Sequence, residues 1–269
     1  MPVYLLVDNG SKQVDATLAL RRLATDLSRH TGKTIHPVSL QHADAIPAEE
    51  LGGTPAQIFH DFLKAQLALG EHEFIAAPLF FGLSKALTSF IPDEVAKLKP
   101  EYPALTVKVA PVTYPLPEGD ARLVRIVFDH IQQAQQQSND DARIVLVDHG
   151  SPSPKITEVR QRIAQTLQEQ FGLHVDQAVM ERRAGKEYDF NGKLLESWLR
   201  QQARQGVTNV IIAMLFFLPG RHAGPNGDVA EICDSVVKEF PKLRYTITPL
   251  IGEHPLLLDI LNDRLAAVE

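Results

Sequence analysis

The sequence has a single cysteine, Cys233, among 269 residues. One thiol closes no internal disulfide and supplies no CxxC pair for zinc or redox work, so any metal must be held by His and carboxylate groups. Cationic charge is scarce as well: 27 Lys plus Arg stand against 33 Asp plus Glu, a formal net charge of −6. That balance, with no extended basic run, speaks against a nucleic-acid surface or an anionic membrane as the principal partner. Uninterrupted apolar runs of membrane-spanning length are missing too. The start, from Met1 into the short apolar segment Val3–Val7, lacks both the basic region and the length of a secretory signal, so a cytoplasmic location is expected. Neither Gly10-Ser11 nor Gly150-Ser151 has the GxGxxG or GxxxxGK[ST] spacing of a phosphate cradle, and Ser151 lacks the setting of a nucleophile elbow. No nucleotide cofactor is expected.

What the chain does contain is an internal repeat. Tyr4-Leu-Leu-Val-Asp-Asn-Gly-Ser11 recurs as Ile144-Val-Leu-Val-Asp-His-Gly-Ser151, 140 residues on, and Pro78-Leu-Phe-Phe81 recurs as Met214-Leu-Phe-Phe217, 136 residues on. Ala110-Pro-Val-Thr-Tyr-Pro115 is echoed by Thr248-Pro-Leu-Ile-Gly-Glu-His-Pro255. Three echoes in the same order imply two copies of one unit. The join falls in the polar stretch 132–141, and the expected domains are residues 1–137 and 142–269.

Within each copy, short apolar runs alternate with helical patterns, as in βαβ units with a parallel sheet. In the second copy the expected strands are Arg143–Val147, Val175–Met180, Asn209–Phe217 and Leu243–Leu250. Ile156, Val159, Ile163, Leu167 and Phe171 fall on one helical face, Leu194, Leu195, Trp198 and Leu199 open a second helix, and Leu256–Val268 supplies the last. Asp228, three residues before Glu231, has the spacing of a capping box. Each half is thus expected to be a four-stranded parallel α/β unit, the pair enclosing a cleft.

Ligands of open parallel sheets bind beyond the carboxyl ends of the strands. Three such ends in the second copy deliver His149, Glu181 and His222. The matching positions in the first copy are Asn9, Gln41 and Ala86, all neutral. Two imidazoles and a carboxylate bind divalent transition metals and accept protons, which the neutral set does poorly. Taken singly, each has an ordinary reading: His149 as a hydrogen-bonding strand end, His222 as a loop histidine, Glu181 as a solvated carboxylate. Their coincidence in one copy favours the functional one. His30, His60, His72 and His130 read as surface residues, and His254 as a cap for the last helix.

These residues resemble a known family. Leu146-Val-Asp-His-Gly-Ser151 and Leu215-Phe-Phe-Leu-Pro-Gly-Arg-His222 are similar to the strand-end motifs of the class II tetrapyrrole chelatases, the sirohydrochlorin chelatases of the CbiX/SirB type. Pro249-Leu-Ile-Gly-Glu-His-Pro255 resembles the segment before that family's last helix. The resemblance implies two tandem chelatase-like, flavodoxin-like domains; it is sharpest in the second, where the site is expected, and the first half departs from the family in having lost its histidines. It implies insertion of Fe²⁺ or Co²⁺, with Ni²⁺ also compatible, into a polycarboxylate tetrapyrrole of siroheme or cobalamin synthesis, without ATP. His149, Glu181 and His222 would bind the metal and take up protons, and Ser151, Arg182 and Arg221 would contact the macrocycle, with Arg183 and Lys186 nearby. Lys85, opposite Arg221, would belong to a macrocycle-binding wall. The fused repeat can stand in for a homodimer, which suits a monomer. The competing classes are a non-catalytic metal or tetrapyrrole carrier and a non-heme oxygenase built on two His and a carboxylate.

Overall fold

The computed structural model describes residues 2–138, 142–224 and 226–269. The end of the expected linker, residues 139–141, lies outside the described residues, as does Pro225 in the loop after His222. Two parallel α/β units are present. In the first, β1 (Val3–Asp8), β2 (Ile35–Ser39), β3 (Glu73–Pro78) and β4 (Thr106–Val109) pair in the order β2-β1-β3-β4. Helices α1 (Val14–Thr31), α2 (Phe59–Ala68) and α3 (Ile91–Leu98) connect them, and α4 (Ala121–Gln137) follows β4 in the chain.

The second sheet holds β5 (Arg143–Asp148), β6 (Asp176–Val179), β7 (Lys193–Leu194), β8 (Asn209–Met214) and β9 (Arg244–Ile247), in the order β7-β6-β5-β8-β9. Its helices are α5 (Pro154–Phe171), α6 (Leu195–Arg204) and α7 (Asp228–Glu239), with α8 (Leu256–Ala266) closing the chain. The shared order, centre strand flanked by second and third, is what a repeat demands. The two-residue β7 is an addition that the sequence pattern did not reveal, because so short an edge strand has no periodicity to detect. Central strands β5 and β8 are fully buried along most of their length, which is why they read as continuous apolar runs. The third strand is shorter than the apolar stretch Asn209–Phe217. Beyond Leu215 the carbonyls of Phe216 and Phe217 accept from Ile251 and Gly252 N–H at 2.9 Å each, so the chain has left the ladder.

The compact units are cut differently from the repeats. One comprises Met1–Glu118 with Leu258–Glu269; the other is Gly119–Leu257. Helix α4, the last of the first repeat, packs on β8, β9 and α5. Helix α8, the last of the second repeat, lies in the unit of the first sheet, where Arg264 Nε donates to Val112 O at 2.9 Å and His30 Nε2 stands 3.1 Å from Asp259. The boundaries expected from the repeat, 1–137 and 142–269, therefore separate each terminal helix from the sheet that buries it. An amphipathic helix has the same pattern whichever sheet it covers, so periodicity is silent about the exchange.

Each unit has its own core. Leu5, Val7, Val38, Phe59, Phe74 and Leu105 centre the first, and Val145, Val147, Trp198, Ile212, Val229 and Cys233 the second. Burial raises the Cys233 thiol to about 12, which keeps it protonated at neutral pH. His130, expected at the surface, is 6% exposed on the inner side of α4, edge-on to His254 at 5.4 Å between ring centroids. Burial, reinforced by His254, lowers it to about 4, so it stays neutral. His254 does cap α8, its Nδ1 accepting from Leu256 N–H at 3.2 Å.

Candidate active site

Strands β6, β5 and β8 are neighbours, so their carboxyl ends open onto one region. At the end of β5 the chain turns sharply at Gly150, φ 92°, where a Cβ would collide with the carbonyl oxygen of Glu181. Only glycine permits so close an approach. The turn brings Glu181 N–H to His149 O at 3.1 Å and places the side chains together, with His149 Nε2 3.3 Å from Glu181 Oε1. His222, from the loop after β8, stands edge-on to His149, with ring centroids 4.6 Å apart and planes at 71°. The other two sequence-expected residues, Glu181 and His222, thus both reach His149.

Hydrogen bonds fix the tautomers. His149 Nδ1 is 3.0 Å from Gly150 O, and a carbonyl can only accept, so Nδ1 carries the proton. Its Nε2 lone pair then faces the Glu181 carboxylate, an acceptor facing an acceptor. A proton or a metal ion between them makes that contact favourable. His222 Nδ1 lies 2.6 Å from Asp228 Oδ2, which likewise assigns the proton to Nδ1 and leaves Nε2 as a ligand. Asp228 is the first residue of α7, but its side chain makes no capping bond, and the expected capping box is absent because the carboxylate is taken by His222. Sequence reasoning assigned the right residue type to the wrong partner.

The site is open. His149 and Glu181 are 44% and 62% exposed at their side chains. Among the described residues, no group of three or more His, Cys, Asp or Glu is drawn together as a ready metal cage. The expected macrocycle contacts are placed as follows. Ser151 Oγ accepts from Ser153 N–H at 3.0 Å, at the start of α5. Arg182 is engaged within its own loop, 3.0 Å from Asp189 and donating to Gly192 O at 3.2 Å. Arg221 is 74% exposed, 3.6 Å from Asp228. Arg183 lies over the Tyr188 ring at 5.8 Å.

Below His149 lies a buried pair that the sequence reading missed. Asp148, pushed up by burial and held down by the neighbouring Arg160 guanidinium, accepts from Arg160 Nη1 and from Gly150 N–H. The first unit builds the same turn at Gly10, φ 85°, with Gln41 N–H on Asn9 O at 3.2 Å. There Leu20 takes the place of Arg160, and the carboxylate beneath the turn, Asp8, has a buried Oδ1 with no hydrogen-bond partner. Burial raises Asp8 to about 6, against hydrogen bonds from Ser39 and Gly10.

A folded-state value above the ordinary 3.8 stabilises the fold below about pH 4, and that contribution disappears as pH rises through about 6. Asp8→Asn, which removes the charge and keeps the shape, is expected to stabilise the first unit at pH 7.5 by up to about 3 kcal/mol and much less at pH 4. Urea unfolding at both pH values reads this directly. Equal stability of variant and wild type at pH 7.5 would count against it.

Residues 143–268 match the CbiX family model. A curated relative, the chloroplastic sirohydrochlorin ferrochelatase of Arabidopsis thaliana, is 30% identical over 127 residues, 45% of this chain and 50% of that protein. The chain thus spans about half the length of that relative. Among solved structures, SirB from Bacillus subtilis with Fe³⁺ is 17% identical, with a TM-score of 0.68 over 100% of this chain and 96% of that one. CbiX, described as the terminal enzyme for biosynthesis of siroheme in denitrifying bacteria, is 16% identical, with a TM-score of 0.62 over 99% of each chain. The fold is that of the chelatases, two helix-flanked parallel sheets. Among the described residues no helix is long and apolar enough to cross a membrane.

Proposed function

We propose that this chain, whose residues 143–268 match the CbiX family model, is a sirohydrochlorin chelatase that inserts Fe²⁺ or Co²⁺ into sirohydrochlorin without ATP. The observation that carries the reading is the contact of His149 with both Glu181 and His222, from three adjacent strand ends, with Nδ1 of each imidazole hydrogen-bonded and Nε2 left as the ligand nitrogen. Insertion exchanges one M²⁺ for the two pyrrole N–H protons of the macrocycle. His149 and His222 bind the incoming ion through nitrogen donors suited to first-row metals, and Glu181 is the harder third ligand. Because protein supplies only part of the coordination sphere, ring nitrogens displace water first and protein ligands in turn. As each ligand is released it becomes a base, so His149 and Glu181 take the departing protons and pass them to solvent through the open side of the site.

The substrate's peripheral carboxylates call for cations near the metal. Arg221, Arg183 and Lys186 have exposed side chains on the loops that carry His222 and Glu181, and Arg182 presents the edge of its guanidinium not used by Asp189. The test is a metallation assay of sirohydrochlorin, uroporphyrin and protoporphyrin with Fe²⁺, Co²⁺ and Ni²⁺, followed by loss of the free-base absorbance. Turnover with sirohydrochlorin and Fe²⁺ or Co²⁺, unaffected by nucleotide and absent with protoporphyrin, is the expected result. Stoichiometric binding of metal or macrocycle with no metallated product released would replace the enzyme with a carrier.

A further inference from the structure

One buried cation of the second unit has no part in that chemistry. Arg160 sits on the inner side of α5 between Val159 and Ile163 and is 2% exposed. Its guanidinium donates from Nη1 to Asp148 Oδ1 and from Nη2 to Asn191 O at 2.7 Å. Asn191, itself fully buried, continues the link: its Oδ1 accepts from Ser151 N–H at 2.9 Å and its Nδ2 donates to Ser151 O at 2.8 Å. Segments 148–151 and 181–192, which carry His149 and Glu181, are therefore fastened together at their bases by one guanidinium and one carboxamide. Each polar group in the link is paired, the condition under which a buried network rigidifies what it joins.

The first unit shows that the turn folds without this link. Leu20 and Leu51 occupy the places of Arg160 and Asn191, 140 residues earlier, and both are buried. The carbonyl of Leu51, counterpart of the one that Arg160 holds, is taken by Arg21 Nη1 at 3.0 Å from the outer side of α1, out of reach of Asp8 in the hydrogen-bond pattern. The glycine turn is nonetheless the same. A polar clamp from the helix to the carboxylate before the turn is present in the one copy that carries His149 and Glu181.

We propose that Arg160 and Asn191 are positioning residues: together they hold the His149 and Glu181 segments in register, so that His149 Nε2 and Glu181 Oε1 face the same metal ion. This rests on the metal-site reading above. Loss of support one step behind a ligand typically weakens metal binding by about 10–100-fold. Removing the charge of Arg160 would also leave Asp148 unpaired, which alters cation affinity for a separate reason, so the informative variants conserve charge. Arg160→Lys keeps the cation beside Asp148 but cannot bridge to Asn191 O as well. Asn191→Leu installs the first unit's residue.

The experiment is a Co²⁺ titration, by absorption, of the full chain and of Arg160→Lys, Asn191→Leu, their double variant and His149→Ala, with thermal melts to establish folding. Each single variant is expected to bind Co²⁺ about tenfold more weakly, and the double variant no more weakly than the worse single, since both cut one link. The metal KM in the metallation assay rises by a similar factor while kcat at saturating metal changes less. Folded single variants with wild-type affinity, alongside a His149→Ala that has lost Co²⁺, would overturn the clamp and leave the metal site standing. Wild-type affinity in His149→Ala would overturn the metal site and the clamp with it. If Arg160→Lys does not fold, Asn191→Leu decides alone, and failure of both to fold would make the network a folding element, against the proposal.

Discussion

His149→Ala and His222→Ala are each expected to reduce metal insertion by about 10²–10⁴-fold, the range over which a positioned proton-transferring group contributes. His149 should be the more sensitive of the two, because it touches both of the other groups: Glu181 Oε1 at 3.3 Å and the His222 ring at 4.6 Å between centroids. Without it no neighbouring pair remains to receive the ion. Loss of His222 removes one nitrogen donor and leaves Asp228 with Arg221 as its remaining charged partner. Glu181→Gln keeps the volume and one oxygen donor but removes the charge, so a smaller loss follows, concentrated in the metal KM. Folding should be indifferent to all three, since these side chains are 31% to 62% exposed. Rates from an absorbance assay, paired with melting curves, separate the two kinds of effect. Wild-type turnover in both histidine variants would refute the assignment.

The histidines and Glu181 were legible because a comparison was available inside the chain. A charged or metal-binding residue where the sister copy has Asn, Gln or Ala stands out against a fold that is otherwise repeated. The same comparison contains Arg160 against Leu20 and Asn191 against Leu51, but neither lies at a strand end, where the ligands of a parallel sheet gather. An arginine inside the run Ile156, Val159, Ile163 and Leu167 looks like the polar border of an amphipathic stripe. Only the fold shows that it points inward, to a carboxylate that precedes His149 by one residue. Asp228 was concealed in another way. An Asp at a helix start has a common local use as a cap, and sequence cannot say that a histidine six residues earlier has claimed its oxygen. The helix exchange was illegible for a third reason: burial pattern reports that a helix is covered, not by what.

That exchange has a consequence for where the protein can be divided. A fragment of residues 119–257 is expected to fold cooperatively and bind Co²⁺, whereas one of residues 142–269, the repeat as the sequence defines it, is expected to aggregate or remain partly unfolded. The first keeps α4 on β8 and β9, with Leu123, Ile126, Val127 and Ile131 all buried to within 2%. It also contains His149, Glu181, His222, Asp228, Arg160 and Asn191. The second strips α4 from the sheet and carries α8 away from the unit that buries it, exposing Ile260, Leu261 and Leu265, each fully buried in the intact chain. At about 1.5–3 kcal/mol for each large aliphatic side chain returned to water, those three alone account for roughly 5–9 kcal/mol, comparable to the whole stability of a domain. The segment 248–255 before α8 is itself tied to the second unit, Ile251 and Gly252 N–H bonding the carbonyls of Phe216 and Phe217. Circular dichroism melts and gel filtration of the two fragments, with a Co²⁺ titration of whichever is folded, give the answer. A folded, metal-binding 142–269 beside an insoluble 119–257 would show that the repeat, and not the compact unit, is what folds.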